Sequence, residues 1–309
     1  MGNIQATKVP LTEDEQSTVS LIWQICSAVS LAATTLMILL MILLQQFKKP
    51  HHQLVFTMFC ATWGIFFFGL VTGDNSFTID PTFCTIFGFF FQVCWNGNVV
   101  GVLSISVNLY RTIVLLKPLE SRDLKYFHFF TWTYVMLLSS LPLTTKSYGW
   151  AGFYCWIDSS YHGNFWRMMT LYWPMIGYDL AMLSIYILVI ISTCRTRTIR
   201  WNGKGSFDEA SDRSAVAGSY IKYMVLYPLV FFICSTPGLV NRYVGAYRGE
   251  AIFWLYIMQA ATSGLMGFAY SIIFGSIVWR HWRVALLRIR LLPTSCRERF
   301  CPQSVEFIH

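Results

Sequence analysis

Charged side chains are scarce in this sequence of 309 residues, because Asp, Glu, Lys and Arg together make up only 12% of it. Soluble domains contain roughly 25% charged residues. Hydrophobic residues account for 55% of the chain and aromatic residues for 17%. This composition excludes a disordered chain and an ordinary water-soluble enzyme, and it favours an integral membrane protein.

The sequence motifs of enzymes and metal sites are also missing. None of the nine Cys forms a CxxC pair, and the sequence contains no HExxH, GxSxG or glycine-rich phosphate loop. The last long apolar run, 251–278, has no Lys that would hold retinal as a Schiff base. We therefore expect no enzymatic activity, no metal and no cofactor.

Seven long apolar runs dominate the sequence. A helix that crosses a membrane needs about 20 mostly apolar residues, so the runs predict an all-α bundle of seven transmembrane helices. An extracellular segment (1–18) precedes this core (19–278), and a cytoplasmic segment (279–309) follows it. The runs are 19–44, 53–73, 82–116, 127–143, 166–194, 221–240 and 251–278.

The distribution of Lys and Arg predicts the orientation. With the N-terminus outside, 18 of the 23 basic residues fall in cytoplasmic segments, as the positive-inside rule requires. The net charge of +8 then reflects topology and contact with membrane lipid, and nucleic acid is not an expected partner. The first residues lack the basic start of a signal peptide, so we expect the first helix to remain in the protein as an uncleaved anchor. We expect a multi-pass protein of the plasma membrane.

Seven-helix bundles include G-protein-coupled receptors, sugar transporters and hydrolases, so the fold alone does not decide the function. Asp179 lies roughly midway along the run 166–194 and is the one charge that we place at mid-membrane. It is either a ligand contact or switch, or a polar group that fixes helix packing, with Gln92, Asn96 and Asn98 as partners. One acid fits a ligand-gated switch better than an ion pathway. A transporter or a non-signalling scaffold is the alternative function.

Two cysteines fall on the predicted outer side of the membrane. Cys84 lies at the start of the third run and Cys155 in the second outer loop, whereas the other seven Cys lie within runs or on the cytoplasmic side. Because both thiols face an oxidising compartment, we predict a disulfide between them. This bond would tie the loop 144–165 over the helices.

Arg111 follows Cys84 by 27 residues, which is about 40 Å of helix and enough to cross a membrane. At the cytoplasmic end it either holds helices three and six together until a G protein binds, or serves as a positive-inside anchor. In the sixth run Pro228 and Pro237 predict kinks that can act as hinges. The seventh run has small residues four apart, which predict close helix packing: Ser263, Gly267, Ser271 and Gly275.

The C-terminal segment 279–292 places apolar and basic residues on opposite faces of a helix. This pattern predicts a short amphipathic helix on the inner membrane surface. Cys296 and Cys301 follow it, either as palmitoylation sites or as free cytosolic thiols.

Four short motifs carry a family resemblance. With them, most of residues 19–292 resembles the cyclic-AMP-receptor-like group of G-protein-coupled receptors. The resemblance implies a receptor that binds an extracellular ligand and activates a heterotrimeric G protein. The motifs are Gly149-Trp150 with Cys155-Trp156-Ile157, Asn108-Leu109-Tyr110-Arg111, Tyr227-Pro228-Leu229-Val230-Phe231 leading to Asn241-Arg242, and Gly267-Phe268 with Phe274-Gly275.

The resemblance also implies that Cys84 and Cys155 form the loop disulfide and that Arg111 is the helix-three arginine. The sequence departs from the group because no acid precedes Arg111, and because Tyr270 and Phe274 stand where the group has Asn and Tyr. The candidate coupling residues are Asn108, Tyr110, Arg111, Pro228 and Pro237. The candidates for the ligand site or polar core are Asp179, Gln92, Asn96, Trp156 and Arg242.

A cyclic nucleotide ligand would need a positively charged partner for its phosphate. The sequence offers four scattered basic residues on the outer side, which are either contacts for an anionic ligand or interface charges. They are Arg242, Arg167, Lys146 and Arg248.

Overall fold

The structure is a computed structural model, and it describes residues 11–45, 50–73, 80–117, 119–151, 154–202, 224–248 and 251–291. Each of the seven predicted runs overlaps one long helix. Helix α5 passes without interruption through Tyr161–Arg167, a π-helical turn at Met168–Tyr172, and Trp173–Asn202. The other helices are α1 (Glu13–Leu43), α2 (Pro50–Thr72), α3 (Pro81–Ile113), α4 (Ser121–Ser140), α6 (Leu226–Arg248) and α7 (Phe253–Leu291).

Local sequence explains where several helices begin and end. Helix α1 begins six residues before the predicted run, because Thr12 and Glu15 form a reciprocal capping box at its N-terminus. Asp80 caps α3 by accepting a hydrogen bond from the backbone N–H of Thr82. Helix α7 continues to Leu291, since no glycine or proline occurs between Gly275 and Pro293. The predicted amphipathic segment is therefore not a separate helix in the structure, but the end of α7.

Five helices in the described part of the chain are long and apolar enough to cross a membrane. They are α1, α2, α3, α5 and α7. Helix α4 has only 20 residues, of which Arg122, Asp123 and Lys125 lie near its start. The predicted fourth run, 127–143, accordingly covers only the apolar part of this helix together with the 3-10 turn Leu141–Thr145 that follows it.

Helix α3 is the centre of the bundle. It packs against α2, α4, α5 and α6, and also against the two short strands β1 (Tyr148–Trp150) and β2 (Cys155–Ile157). The strands pair in an antiparallel hairpin. We call the end of the bundle that carries this hairpin the outer end, and the opposite end the inner end.

Helices α1 and α7 approach each other closely through small residues. A Cβ added at Gly267 would lie 2.6 Å from the ring of Phe66 and 2.9 Å from Thr34. The hydroxyl of Ser30 donates to the carbonyl of Gly264. Of the small residues predicted for close packing, Gly267 has this role. Ser263 instead faces α6, where its hydroxyl donates to the Cys234 carbonyl at 3.4 Å.

Candidate functional site

The hairpin at the outer end is joined covalently to α3. Cys84 and Cys155 form a disulfide with their Cα atoms 5.1 Å apart, as the sequence predicted. The backbone N–H of Cys155 also donates to the hydroxyl of Thr72 on α2, at 3.2 Å. These bonds fix strand β2 against the outer ends of α2 and α3.

Trp156 anchors the same strand inside the bundle. Its indole N–H donates to the side-chain oxygen of Gln92, and the Gln92 amide donates in turn to the carbonyl and hydroxyl of Thr170, both at 3.3 Å. A Cβ at Gly88 would lie 3.2 Å from the Trp156 backbone, so a residue without a side chain lets the strand rest on α3. Gln92 and Trp156, predicted as polar-core candidates, therefore belong to one network that links α3, the hairpin and α5.

Arg167 supports this network from α5. Its Nε and one terminal nitrogen donate to the carbonyl of Ile157 at 2.9 and 2.6 Å. The guanidinium lies over the Trp156 ring, 5.0 Å from the ring centroid. From the sequence, Arg167 was expected only as one of four scattered outer charges, and no pattern indicated this structural role.

A small cavity lies below the hairpin among α3, α5, α6 and α7. Its volume is about 40 Å³, and its wall includes Tyr154, Trp156, Tyr172, Arg242 and Gln259. A water molecule needs about 10–15 Å³ by this measure, whereas pockets for small-molecule ligands have about 300–1,000 Å³. In this conformation the cavity has room for water but not for a ligand.

Arg242 lines this cavity, and Arg167 lies over the ring of Trp156, which also lines it. Burial raises the pKa of Tyr154 to about 12, and the charges of Arg242 and Arg167 partly oppose that shift. The Arg242 Nε is enclosed and has no hydrogen-bond partner. The described residues that line the cavity include no Asp or Glu. Lys146 lies elsewhere, in a separate outer groove beside Tyr148, and the side chain of Arg248 is outside the described part of the structure.

The structure does not bring Asp179 to its predicted partners. Asp179 is 7% exposed, and neither carboxylate oxygen has a hydrogen-bond partner. Gln92 bonds with Thr170 and Trp156, the Asn96 amide donates to the Ser139 hydroxyl at 3.2 Å, and Asn98 faces the Met266 sulfur. The structure therefore has no hydrogen bond between Asp179 and the three predicted partners, although the side-chain oxygen of Asn98 is itself without a partner.

Arg111 lies at the inner end of α3 and is paired with α4. One of its terminal nitrogens donates to the Asp123 carboxylate at 2.6 Å, and both side chains are about one quarter exposed (25% and 26%). From the sequence, Arg111 was expected either to join helices three and six or to serve as a positive-inside anchor, and no acid precedes it in the motif. The acid instead comes 12 residues later, in the first turn of α4, where a negative charge is favoured by the helix dipole.

The two predicted kink prolines occupy different positions in α6. Pro237 lies inside the helix, and one turn earlier the carbonyl of Cys234 accepts from the hydroxyl of Thr262 on α7 at 3.2 Å. Pro228 is the third residue of α6, and Val225, directly before the helix, is a turn residue. A proline at 228 cannot donate to the carbonyl of residue 224, which agrees with the start of the helix at Leu226.

Comparison with a profile of a known family identifies the family of this chain. A profile of the slime mold cyclic AMP receptor family matches residues 10–295. This chain belongs to that family. The resemblance stated from the sequence motifs is thereby confirmed, as is the prediction that the chain is a receptor-family protein and not an enzyme.

Individual members and one solved structure are similar at low identity. G-protein coupled receptor 1 of Arabidopsis thaliana is 24% identical over 86% of this chain and 80% of its own length. Cyclic AMP receptor 1 of Dictyostelium discoideum is 25% identical over 63% of this chain, and only 47% of that receptor is covered. The crystal structure of squid rhodopsin shares the fold, with a TM-score of 0.68, 14% identity, and coverage of 85% of this chain and 78% of that one.

Membership of this family and the helical fold make the chain an integral, multi-pass membrane protein of the receptor class. The predicted palmitoylation residues Cys296 and Cys301 lie outside the described residues. Asn108 is buried near the inner end of α3, next to Tyr110 and Arg111 in the chain. Their coupling roles stay predictions.

Proposed function

We propose that this protein is a plasma-membrane receptor that binds an anionic ligand at its outer end and activates a heterotrimeric G protein at its inner end. The observation that carries the proposal is the placement of Arg242 in the wall of the small cavity below a disulfide-linked hairpin, with Arg167 over the ring of Trp156 in the same wall. Family membership supports the receptor class. The two arginines support the sign of the ligand charge.

Arg242 is the better of the two arginines for direct ligand contact. Its enclosed Nε has no hydrogen-bond partner, although its guanidinium interacts with Tyr172, whereas two nitrogens of Arg167 already donate to Ile157. A phosphate oxygen accepts strong, charge-assisted hydrogen bonds from a guanidinium. The Dictyostelium discoideum relatives are named as cyclic AMP receptors, and cyclic AMP carries one such phosphate.

Ligand binding at Arg242 would act directly on the kinked helix. Arg242 lies on α6, five residues beyond Pro237, so a ligand that widens the small cavity pulls on the outer arm of this helix. Proline removes one backbone hydrogen bond and makes bending less costly. The bend would be transmitted along α6 to the inner end of the bundle.

The Arg111–Asp123 pair is suited to act as the resting lock at the inner end. The pair is partly exposed, so its contribution to stability is about 1 kcal/mol or less. A lock of this strength can be opened by a ligand, because only a small free energy separates the paired and released states. Release frees the Arg111 guanidinium for the carbonyls of a G-protein segment.

Cells that express the receptor with a panel of Gα activation sensors would test this proposal. We use cyclic AMP as the probe and adenosine as its uncharged analogue. Arg242→Gln should raise the half-maximal concentration of cyclic AMP by about tenfold, the equivalent of one lost hydrogen bond to a charged group. Lys146→Gln removes an outer charge away from the cavity and should leave the response unchanged.

An equal response to adenosine, or an equal loss in Lys146→Gln, would contradict an anion site at Arg242. Failure of every Gα sensor to respond in the wild type at verified surface expression would contradict coupling. The two halves of the proposal therefore fail in different readouts.

A further inference from the structure

A second, larger cavity lies between α3, α4 and α5 in the inner half of the bundle. Its volume is about 480 Å³. It exists because α4 packs mainly against α3 and the 3-10 turn, which leaves the inner part of α4 apart from α5. The proposed ligand site at the outer end does not use this space.

The cavity is long and has polar groups at both ends. The α3 wall extends from Val100 to Arg111, a rise of about 16 Å along the helix. The rings of Tyr134 and Tyr178 meet edge to face at 6.4 Å and close the outer end. The Arg111–Asp123 pair closes the inner end.

The side walls between these ends are mostly apolar, and the wall on α4 is mostly aromatic. Helix α4 contributes the rings of Tyr126, Phe127 and Phe130, and α3 contributes mainly aliphatic side chains. Tyr126 is 60% exposed and Phe130 is 66% exposed, so both rings have a face available for contact. A rigid, flat, apolar body gains most from such a wall, since it loses little conformational entropy on binding.

The charged end of the cavity selects the head group. Arg111 and Asp123 neutralise each other, and the guanidinium has five N–H donors, of which one is bonded to Asp123. Asp123 would repel an anionic head group, and Arg111 would repel a cationic one. A neutral hydroxyl can accept from the guanidinium and donate to the carboxylate at the same time.

We propose that this cavity binds a membrane sterol of the inner leaflet, with its rings on the aromatic wall of α4 and its hydroxyl at the Arg111–Asp123 pair. The bound hydroxyl bridges the two charged side chains and favours their paired state. Sterol would therefore oppose the release of Arg111. The site rests on the predicted orientation of the bundle, but not on the identity of the outer ligand.

The test is photolabelling of the purified full-length protein in phosphatidylcholine nanodiscs with a photoreactive cholesterol analogue. Phe130→Ala should lower the labelling of α4 that excess cholesterol competes away by about fivefold, as loss of one aromatic contact predicts. Phe129→Ala is the matched control, because Phe129 is also 66% exposed but does not line the cavity. Its labelling should equal that of the wild type.

A cavity-filling variant and an anionic competitor make the result decisive. Thr131→Trp fills the cavity from α4 without removing an aromatic ring, and it should abolish competable labelling. Cholesterol sulfate, which is anionic, should compete at least about tenfold less well than cholesterol. Equal losses in Phe129→Ala and Phe130→Ala, or better competition by the sulfate, would overturn the proposal. The readout is binding, so it does not depend on G-protein coupling.

Discussion

At the outer end of the bundle, residues far apart in the chain hold the hairpin against the helices, whereas at the inner end Arg111 and Asp123 join two consecutive helices. The disulfide links positions 71 residues apart, and the Trp156–Gln92 bond links positions 64 apart. The Arg111–Asp123 pair spans only 12 residues. Cross-links between distant segments restrict the movement of whole helices, so the hairpin with α2, α3 and α5 forms a fixed platform at the outer end, whereas the inner end can open.

Helix α6 extends from the inner end of the bundle towards the outer end. Near the outer end the Asn241 amide donates to the Gln259 side chain of α7 at 2.7 Å, and the Cys234 carbonyl accepts from Thr262. Pro237 lies between these two contacts. Helix α6 is therefore tied to α7 on both sides of Pro237, which makes α6 and α7 a coupled pair at that end.

Breaking the disulfide should have the largest effect. Cys155→Ser removes a cross-link that closes a loop of 71 residues, and we expect unfolding free energy to fall by about 2–4 kcal/mol. The measurement is the melting temperature of the detergent-solubilised protein, together with the fraction that reaches the cell surface. Both should fall strongly.

Cys60→Ser is the matched control, because Cys60 is a free and exposed cysteine on α2. It should behave as the wild type. If Cys155→Ser also kept normal stability and surface expression, the hydrogen bonds of the hairpin would suffice, and the outer end would not depend on its covalent link.

Breaking the Arg111–Asp123 pair should have an intermediate effect on signalling and little effect on stability. Asp123→Asn frees Arg111 and should raise ligand-free Gα activation about two- to fivefold, as expected for a partly exposed ion pair. Arg111→Ala should instead lower activation to the level of cells without receptor. Gα sensors at matched surface expression measure both.

Glu120→Gln is the control for the charge itself. Glu120 is an exposed acid at the N-cap of α4 and makes no side-chain capping bond. Its substitution removes the same charge three residues away and should leave basal activation unchanged. Equal activation by Glu120→Gln and Asp123→Asn would show that general charge at this helix end matters, and not the pair.

The difference between the two ends also explains what the sequence could reveal. The seven helices follow from apolar runs, and the Cys84–Cys155 disulfide follows from the only two outer thiols, because both inferences need composition and compartment alone. Asp123 lies before the predicted fourth run, 127–143, so the apolar pattern did not place it on a helix, whereas the structure has it in the first turn of α4. Its pairing depends on the path of the chain between α3 and α4, which spacing does not define.

The roles of Arg167 and Tyr154 could not be predicted from the sequence. Arg167 directly precedes the π-helical turn Met168–Tyr172, and such a turn changes the helical phase of the residues on either side of it. No pattern in the sequence indicated that turn. The convergence of Arg167 and Arg242 on Tyr154 therefore required the folded structure.

Asp179 lies between the two ends and should show the smallest effect. Because neither carboxylate oxygen has a hydrogen-bond partner, Asp179→Asn removes no bond of the described structure and should change unfolding free energy by less than about 1 kcal/mol. The amide has nearly the same shape and lacks the cost of a buried charge, so any change should be towards higher stability.

Melting temperatures of the wild type and Asp179→Asn measure this effect. Gln92→Leu is the contrast, because the Gln92 side chain bonds with Trp156 and Thr170 and its loss should cost about 1–3 kcal/mol of unfolding free energy. A clear loss of stability in Asp179→Asn would mean that the acid fixes helix packing, and a change in basal Gα activation without such a loss would mean that it acts as a switch.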